Sequence, residues 1–233
     1  MTSLLLFGFL IGMRHALEAD HLAAVAAIST RQYSLKASIR HGAVWGLGHT
    51  TTLFLFGSFV IFMNTIIPAN TANFLELAVG IMLVILGIDV LRRMVKQRIH
   101  YHLHHHQNSM VHFHAHSHQG DTSHRESSHD HSHEKFPYRI FFIGMMHGLA
   151  GSAALILLTQ SAIHSLSMSM LYILLFGVGS IIGMATLSMI ISIPLRATSK
   201  LTYLHNGLQF GIGLLTMGLG SSIVYESSLW SMI

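Results

Sequence analysis

The chain has 233 residues, of which 51% are hydrophobic and only 9% are charged. A soluble domain carries roughly 25% charged residues, so this composition and a mean hydropathy of +0.54 indicate an all-α polytopic membrane protein. The chain contains no cysteine, which excludes disulfides, thiolate metal sites and thiol redox chemistry. The net charge of +4 does not indicate nucleic-acid binding, because the basic residues lie between apolar runs and form no patch.

Six apolar runs are each long enough to cross a bilayer as a helix. They cover approximately residues 4–28, 39–63, 74–95, 138–163, 168–195 and 203–225. Of the 13 Lys and Arg residues, 12 lie in or beside the connections that follow the first, third and fifth runs. The positive-inside rule then predicts that these connections are cytoplasmic, that both termini are extracytoplasmic, and that the protein lies in the cell membrane. The first run has no basic leader, so we expect it to remain as a helix.

The two halves of the chain repeat each other at a shift of about 132 residues. The motif Ile-Gly-Met-x-His-x-Leu occurs at residues 11–17 and again at 143–149, and glycines 46, 48, 80 and 87 recur as 177, 179, 213 and 220. Three spans per repeat place the second half upside down in the membrane, which is typical of secondary transporters. We therefore predict six transmembrane helices as a 3+3 inverted repeat, with residues 1–97 and 137–233 as the two halves.

Between the halves, residues 98–136 hold 13 of the 20 histidines. Ser, Asp, Gln and Gly separate them, so the segment cannot bury a core, and we predict a disordered cytoplasmic loop that binds metal loosely. A solvated linker and a pH-sensing segment are the alternatives. The candidate auxiliary ligands are His100, His102, His104, His105, His106, His112, His114, His116, His118, His129, His131 and His133.

The first apolar run contains a polar block with two imidazoles and two carboxylates, at His15, Glu18, Asp20 and His21. An ionised group at that depth costs roughly 2.5–3.5 kcal/mol, so such residues face a cavity and have a function. A divalent cation satisfies the imidazoles and carboxylates together, and these ligands suit Ni, Co, Zn and Cu. A regular helix would separate His15 and His21 by about 9 Å and about 240° of rotation. If both bind one ion, the helix must break near this block.

His49 lies at the centre of the second span, at the depth of the polar block, and is the fourth candidate ligand beside His15, Asp20 and His21. Packing against the backbone is the alternative for a lone histidine, and an Arg14–Glu18 ion pair is the alternative for the block. An intramembrane serine hydrolase is disfavoured, because no carboxylate orienter accompanies the serine; we predict that the chain is not an enzyme. Secondary candidates for the metal site or its surroundings are Glu18, His147, Arg14, Thr50, Met13 and Ser152.

Residues 14–24, Arg-His-Ala-Leu-Glu-Ala-Asp-His-Leu-Ala-Ala, resemble the His-x4-Asp-His signature of the nickel/cobalt transporter (NiCoT) family. Gly48-His49-Thr50 resembles that family's Gly-His-Ser/Thr motif. The resemblance implies that His15, Asp20, His21 and His49 select the metal. Six spans, and His147-Gly-Leu-Ala-Gly-Ser152 where typical members have a Thr-rich acidic motif, make the chain similar to the smaller urease-accessory (UreH-type) branch. The histidine-rich loop is also similar to that of related nickel/cobalt efflux proteins.

Together these features predict a secondary transporter that moves Ni²⁺ or Co²⁺, with Zn²⁺ also compatible, by alternating access at a midplane site. The ion is the cargo, and no cofactor is expected. Import is favoured by the membrane potential; proton-coupled efflux of nickel, cobalt or zinc and a membrane-bound metal sensor or storage protein are the alternatives. The expected partners are the divalent ion, the lipid bilayer and cytoplasmic metal chaperones, with no nucleic acid. The sequence indicates no particular oligomeric state.

Overall fold

The computed structural model describes residues 2–31, 34–63, 68–96, 100–105, 111–116, 136–162, 165–199 and 201–230. These residues form seven helices and a pair of short strands. In chain order they are α1 (Thr2–His15), α2 (Ala19–Ser29), α3 (Leu35–Met63), α4 (Ala69–Lys96), β1 (His100–His105), β2 (Val111–His116), α5 (Tyr138–Ala162), α6 (Leu166–Ala197) and α7 (Thr202–Trp230).

The first apolar run is a broken helix, made of α1 and α2. A tight turn ends α1, in which the backbone N–H of Leu17 donates to Arg14 O at 2.9 Å and that of Glu18 donates to His15 O at 3.1 Å. Glu18 then has an extended backbone, with φ −62° and ψ 147°, and α2 begins at the next residue. The predicted break between His15 and His21 is therefore confirmed.

Four helices of the described part of the chain, α3, α4, α6 and α7, are long and apolar enough to cross a membrane. Two further apolar segments, Leu5–His15 and Ala19–Ser29, are shorter because the break divides them. The helices α3 to α7 coincide in chain order with the second to sixth predicted apolar runs. The chain is a multi-pass helical membrane protein.

Two helix pairs pack with their backbones in direct contact, and they do so at repeat-related positions. A Cβ on Gly12 of α1 would lie 2.0 Å from Phe176 O of α6, and a Cβ on Gly144 of α5 would lie 2.1 Å from Trp45 O of α3. Gly12 and Gly144 are 132 residues apart, and Trp45 and Phe176 are 131 apart. The contact of α1 with α6 is thus repeated by the contact of α5 with α3.

The same two helix pairs also make glycine contacts in the opposite direction, from α6 to α1 and from α3 to α5. A Cβ on Gly179 of α6 would lie 2.1 Å from Phe9 O of α1, and one on Gly48 of α3 would lie 2.1 Å from Phe141 O of α5. No side chain fits at these distances, so only glycine permits the approach. A twofold relation between two halves requires this exchange of equivalent contacts.

The core surrounds α2, the second half of the broken helix. Ala24 and Val25 of α2 pack in one buried cluster with Trp45 of α3, Leu83 of α4 and Met184 of α6. Thus one face of α2 is buried among α3, α4 and α6. The polar residues at its start are carried into this interior with it.

A charged network holds the end of α2 against α4. Arg31, just after α2, pairs with the Asp89 carboxylate of α4, and Arg93 Nε donates to the same oxygen at 3.1 Å. Arg93 Nη2 also donates to Thr30 Oγ1 at 3.2 Å. These groups lie at the end of the bundle that carries the basic connections.

Two parts of the histidine-rich segment, β1 and β2, form paired strands. Strands β1 and β2 are antiparallel, and the register opposes three histidine pairs, His100 with His116, His102 with His114, and His104 with His112. The candidate ligands His106, His118, His129, His131 and His133 lie outside the described residues.

Candidate metal centre

The break after α1 brings the two histidines of the polar block to the same place. His15 is the last residue of α1, and His21 lies in the first turn of α2. Their ring centroids are 4.3 Å apart, and both side chains are buried. The turn at residues 16–18 therefore removes the separation that a regular helix would impose.

His49, at the centre of α3, completes a group of three imidazoles. Its Nε2 lies 3.3 Å from Nε2 of His15, and its side chain is fully buried. One nitrogen from each of His15, His21 and His49 lies within 4.8 Å of the others. Two imidazoles bound to one ion at M–N distances of about 2.0–2.1 Å would place their nitrogens about 3.3 Å apart in tetrahedral geometry. The observed spacing of His15 and His49 equals this value, and it is also that of a hydrogen bond between the two rings.

Two carboxylates hold the rings of the polar block. His15 Nδ1 donates to Glu18 Oε1 at 2.8 Å, and His21 Nδ1 donates to Asp20 Oδ1 at 2.9 Å. In both rings the Nδ1 hydrogen is used in this bond, so the lone pair of the neutral ring is on Nε2. In His15 this nitrogen faces His49 Nε2, and in His21 it has no partner among the described residues. This is the arrangement by which carboxylates orient histidine ligands around metals.

His147 joins the cluster from α5 through Asp20. Its Nε2 donates to Asp20 Oδ2 at 2.9 Å, so both oxygens of Asp20 bind imidazoles. Asp20, His21 and His147 form a second group whose potential ligand atoms lie within 4.8 Å of one another. The cluster thus contains two overlapping groups that share His21.

Three nitrogens of the cluster have no hydrogen-bond partner among the described residues: His21 Nε2, His49 Nδ1 and His147 Nδ1. A buried polar atom without a partner costs roughly 1–3 kcal/mol. Proteins keep such unpartnered atoms where a bound ligand or a function offsets this free-energy cost. A metal ion bound by the three-imidazole group would give the free nitrogen of His21 a partner.

The broken helix also favours a cation by its backbone. The C-terminal end of α1 stops at His15, and its last carbonyl groups carry the negative end of the helix dipole. Discontinuous transmembrane helices bind transported cations through such ends. Asp20, in the first turn of α2, balances the positive end of the following helix.

Two aromatic residues that the sequence did not single out form the wall of the cluster. The Trp45 ring is 5.5 Å from His21 and 5.4 Å from His147, and Phe176 is 5.2 Å from His15. Trp45 is fully buried. Its position one helical turn before His49 was the available signal, since residues four apart share a helix face. No comparable signal marks Phe176, which contacts the cluster from α6.

Several secondary candidates lie outside the two groups. Thr50 Oγ1 donates to Gly177 O at 3.1 Å, which joins α3 to α6. The backbone of Met13 packs against Gly179, and Arg14 is exposed. Glu18 pairs with His15, so the alternative Arg14–Glu18 pair is not the arrangement seen. Ser152 lies on α5, and its side chain is outside the described part.

Membrane-crossing helices around buried histidines that pair with partly exposed carboxylates define a class, the integral membrane proteins that handle metal ions. The chain belongs to the NicO family of high-affinity nickel-transport proteins, whose family model matches residues 1–223. Nickel transport is the activity that the family's description gives.

Three relatives show how far the similarity extends. The urease accessory protein UreH of Bacillus sp. (strain TB-90) is 35% identical over 230 residues, which cover 97% of this chain and 92% of UreH. The chloroplast proteins FOR GROWTH AND FERTILITY 1 and 2 of Arabidopsis thaliana are 27% and 24% identical, each over 89% of this chain. The chain spans 56% and 54% of the length of these two plant proteins. No solved structure matches the chain.

Proposed function

We propose that this protein is a secondary transporter that carries Ni²⁺ or Co²⁺ into the cytoplasm by alternating access. One observation supports the proposal most directly: His15, His21 and His49 converge from three helices, with the nitrogens of His15 and His49 already at ligand spacing. Neutral imidazoles suit nickel and cobalt, and also zinc. Membership of the nickel-transport family makes nickel the first candidate.

In this proposal the three imidazoles bind the ion, and the carboxylates act through them. Asp20 and Glu18 hold His21 and His15 and also supply the negative charge that a divalent ion needs in a buried site. Asp20 therefore acts first as an orienting group for His21. The resemblance to the nickel/cobalt transporters implied that Asp20 binds the metal directly. Asp20 would bind an ion directly in the second group of the cluster, which it forms with His21 and His147.

The transport mechanism follows from the proposed inverted repeat of six spans. The exchanged contacts of Gly12 with Phe176 and of Gly144 with Trp45 support a twofold relation between the halves. Two such halves can adopt two equivalent conformations, and each conformation opens the ion site to a different side of the membrane. The broken first span lies at the contact between them, where the ion would be alternately exposed.

The direction follows from the membrane potential. An ion with two charges moving inward gains about 4.6 kcal/mol per 100 mV, twice the ~2.3 kcal/mol for one charge. That energy supports more than a thousandfold accumulation. Import therefore needs no second ion, whereas efflux must be coupled to protons. The histidine-rich segment, whose strand register opposes histidine pairs, would receive ions in the cytoplasm.

The test is uptake of radioactive nickel by cells that express the chain, with and without His21→Ala. Expression should raise intracellular nickel, and His21→Ala should remove the increase. His205→Ala is a matched control, because His205 bonds Gln209 on α7 and lies outside the cluster. Lower accumulation on expression would reverse the proposed direction.

The histidine-rich segment needs a separate variant. Replacing its histidines by asparagine should modulate uptake without abolishing it, because the proposed ligands of the ion lie in α1, α2 and α3. A sensor or storage protein would show no flux in proteoliposomes. Normal flux in His15→Ala and His21→Ala, with loss of flux in the segment variant, would contradict the proposed site.

A further inference from the structure

The His21 ring is equally distant from two repeat-related histidines. Its centroid is 4.3 Å from that of His15 and 4.3 Å from that of His147. His15 and His147 are 132 residues apart and occupy the same place in the two copies of the repeated motif. His21 contributes a potential ligand atom to both groups of the cluster.

From this arrangement we propose that Asp20, His21 and His147 form a second ion position, and that the ion passes to it from the position formed by His15, His21 and His49. This inference rests on the proposed transport function. His21 is common to both positions, so the ion keeps one protein ligand while it exchanges the others. The first position has only imidazole ligands, and the second adds a carboxylate.

The spacing of Asp20 and His147 fits a shared ion. Asp20 Oδ2 and His147 Nε2 are 2.9 Å apart. Two neighbouring ligands on an octahedral ion with bonds of about 2.1 Å are separated by about 3.0 Å, and oxygen and nitrogen ligands suit Ni²⁺ and Co²⁺. The ion replaces the hydrogen that now joins the two atoms. That hydrogen moves to Nδ1 of the same ring, which has no partner among the described groups.

The second position lies on the side of the basic connections. His147 is nine residues after the start of α5, a helix of 25 residues, so it lies in the half of α5 nearer the histidine-rich segment. Asp20 and His21 begin α2, which leads to the same side at Arg31. In the proposed topology this side is cytoplasmic, and the second position is the inner one.

The two positions differ because the repeat has diverged. The position in α6 that corresponds to His49 is Ser180, which is fully buried and supplies no imidazole. Asp20 has no counterpart in the second half, where Ser152 stands instead. An ion thus leaves three imidazoles for one carboxylate and two imidazoles. The two positions thus define a route for the ion, while the membrane potential sets its net direction.

The test is nickel uptake by proteoliposomes that contain the full chain, with KM and kcat measured for His147→Gln. Glutamine can still donate a hydrogen bond to Asp20, but it does not replace an imidazole ligand. We expect kcat to fall by about 10–100-fold while KM remains near that of the unchanged protein, because the first position is intact. Unchanged kcat, or a raised KM with unchanged kcat, would show that His147 only positions Asp20 and would overturn the proposal.

His147→Cys provides a second, independent readout if the glutamine variant does not fold. The chain has no other cysteine, and a thiolate prefers softer ions. We expect the ratio of zinc to nickel transport to rise in this variant, and an unchanged ratio would overturn the second position. His49→Ala distinguishes the proposed transport function from the proposed second position. If His49→Ala abolishes uptake while His147→Gln transports normally, the transport function stands and the second position is rejected.

Discussion

Nε2 of His15 and Nε2 of His49 lie 3.3 Å apart in the interior of the bundle. The two residues come from different helices and are 34 positions apart in the chain. Two neutral imidazoles at this distance share at most one hydrogen, so the pair alone is a weak reason to bury both rings. An ion between them would give each nitrogen a full partner.

His49→Ala is the most direct test of this pair. It removes one of three imidazoles without changing the break in the first span. We expect kcat/KM for nickel uptake to fall by more than the roughly 10–100-fold that loss of a supporting group costs. Uptake of radioactive nickel by proteoliposomes measures it, with His205→Ala as control. Uptake within the error of the unchanged protein would exclude His49 as a ligand.

Glu18 should act through His15. Its Oε1 accepts the Nδ1 hydrogen of His15 at 2.8 Å, while its side chain is 57% exposed. Glu18→Ala frees the ring to rotate, so we expect KM for nickel to rise by about 10-fold or more. Glu18→Gln retains an acceptor oxygen and should have a smaller effect. Equal KM values for the two variants would mean that the charge matters and the hydrogen bond does not.

Gly12 and Gly144 should be equally intolerant of a side chain. A Cβ at either would lie 2.0–2.1 Å from a backbone carbonyl oxygen of the facing helix. We expect Gly12→Ala and Gly144→Ala each to destabilise the protein by roughly 1–3 kcal/mol or more, because the helices must separate. Thermal unfolding of the purified protein in detergent measures this.

Gly218→Ala is the matched control for these two glycines. A Cβ there meets nothing within 4 Å, and alanine is the better helix former by about 1 kcal/mol. The melting temperature should therefore stay the same or rise. A large difference between Gly12→Ala and Gly144→Ala would contradict the equivalence of the two helix contacts.

Asp89 should stabilise the end of α2. It accepts from both Arg31 and Arg93, and Arg93 reaches Thr30 at the end of α2. Asp89→Asn removes the negative charge between two arginines, so we expect the melting temperature to fall by a few degrees. The groups are partly exposed, and high salt should therefore reduce the difference. Glu226→Gln on exposed α7 surface is the control and should leave the melting temperature unchanged.

Much of the architecture follows from sequence patterns. Apolar runs predicted the helices, because a bilayer admits only segments that satisfy their own backbone hydrogen bonds. The cost of burying charge drew attention to the block from His15 to His21. The requirement that both histidines reach one place predicted the break, which the turn between α1 and α2 confirms. No proline lies at the break, so the local sequence contains no helix-breaking residue that would have located it.

Sequence by itself determined the class of protein, the chemistry of the cluster and the positions related by the repeat. Tertiary structure decided which side chains are in contact. Asp20 bonds both His21 and His147, and Glu18 bonds His15. Trp45 packs against the His21 ring. The physical reason is that a helix sequence specifies the face on which a residue lies, while its partners depend on how the helices pack. Here glycine contacts set that packing at residues distant in the chain, and the same contacts bring His147 to Asp20 across 127 positions.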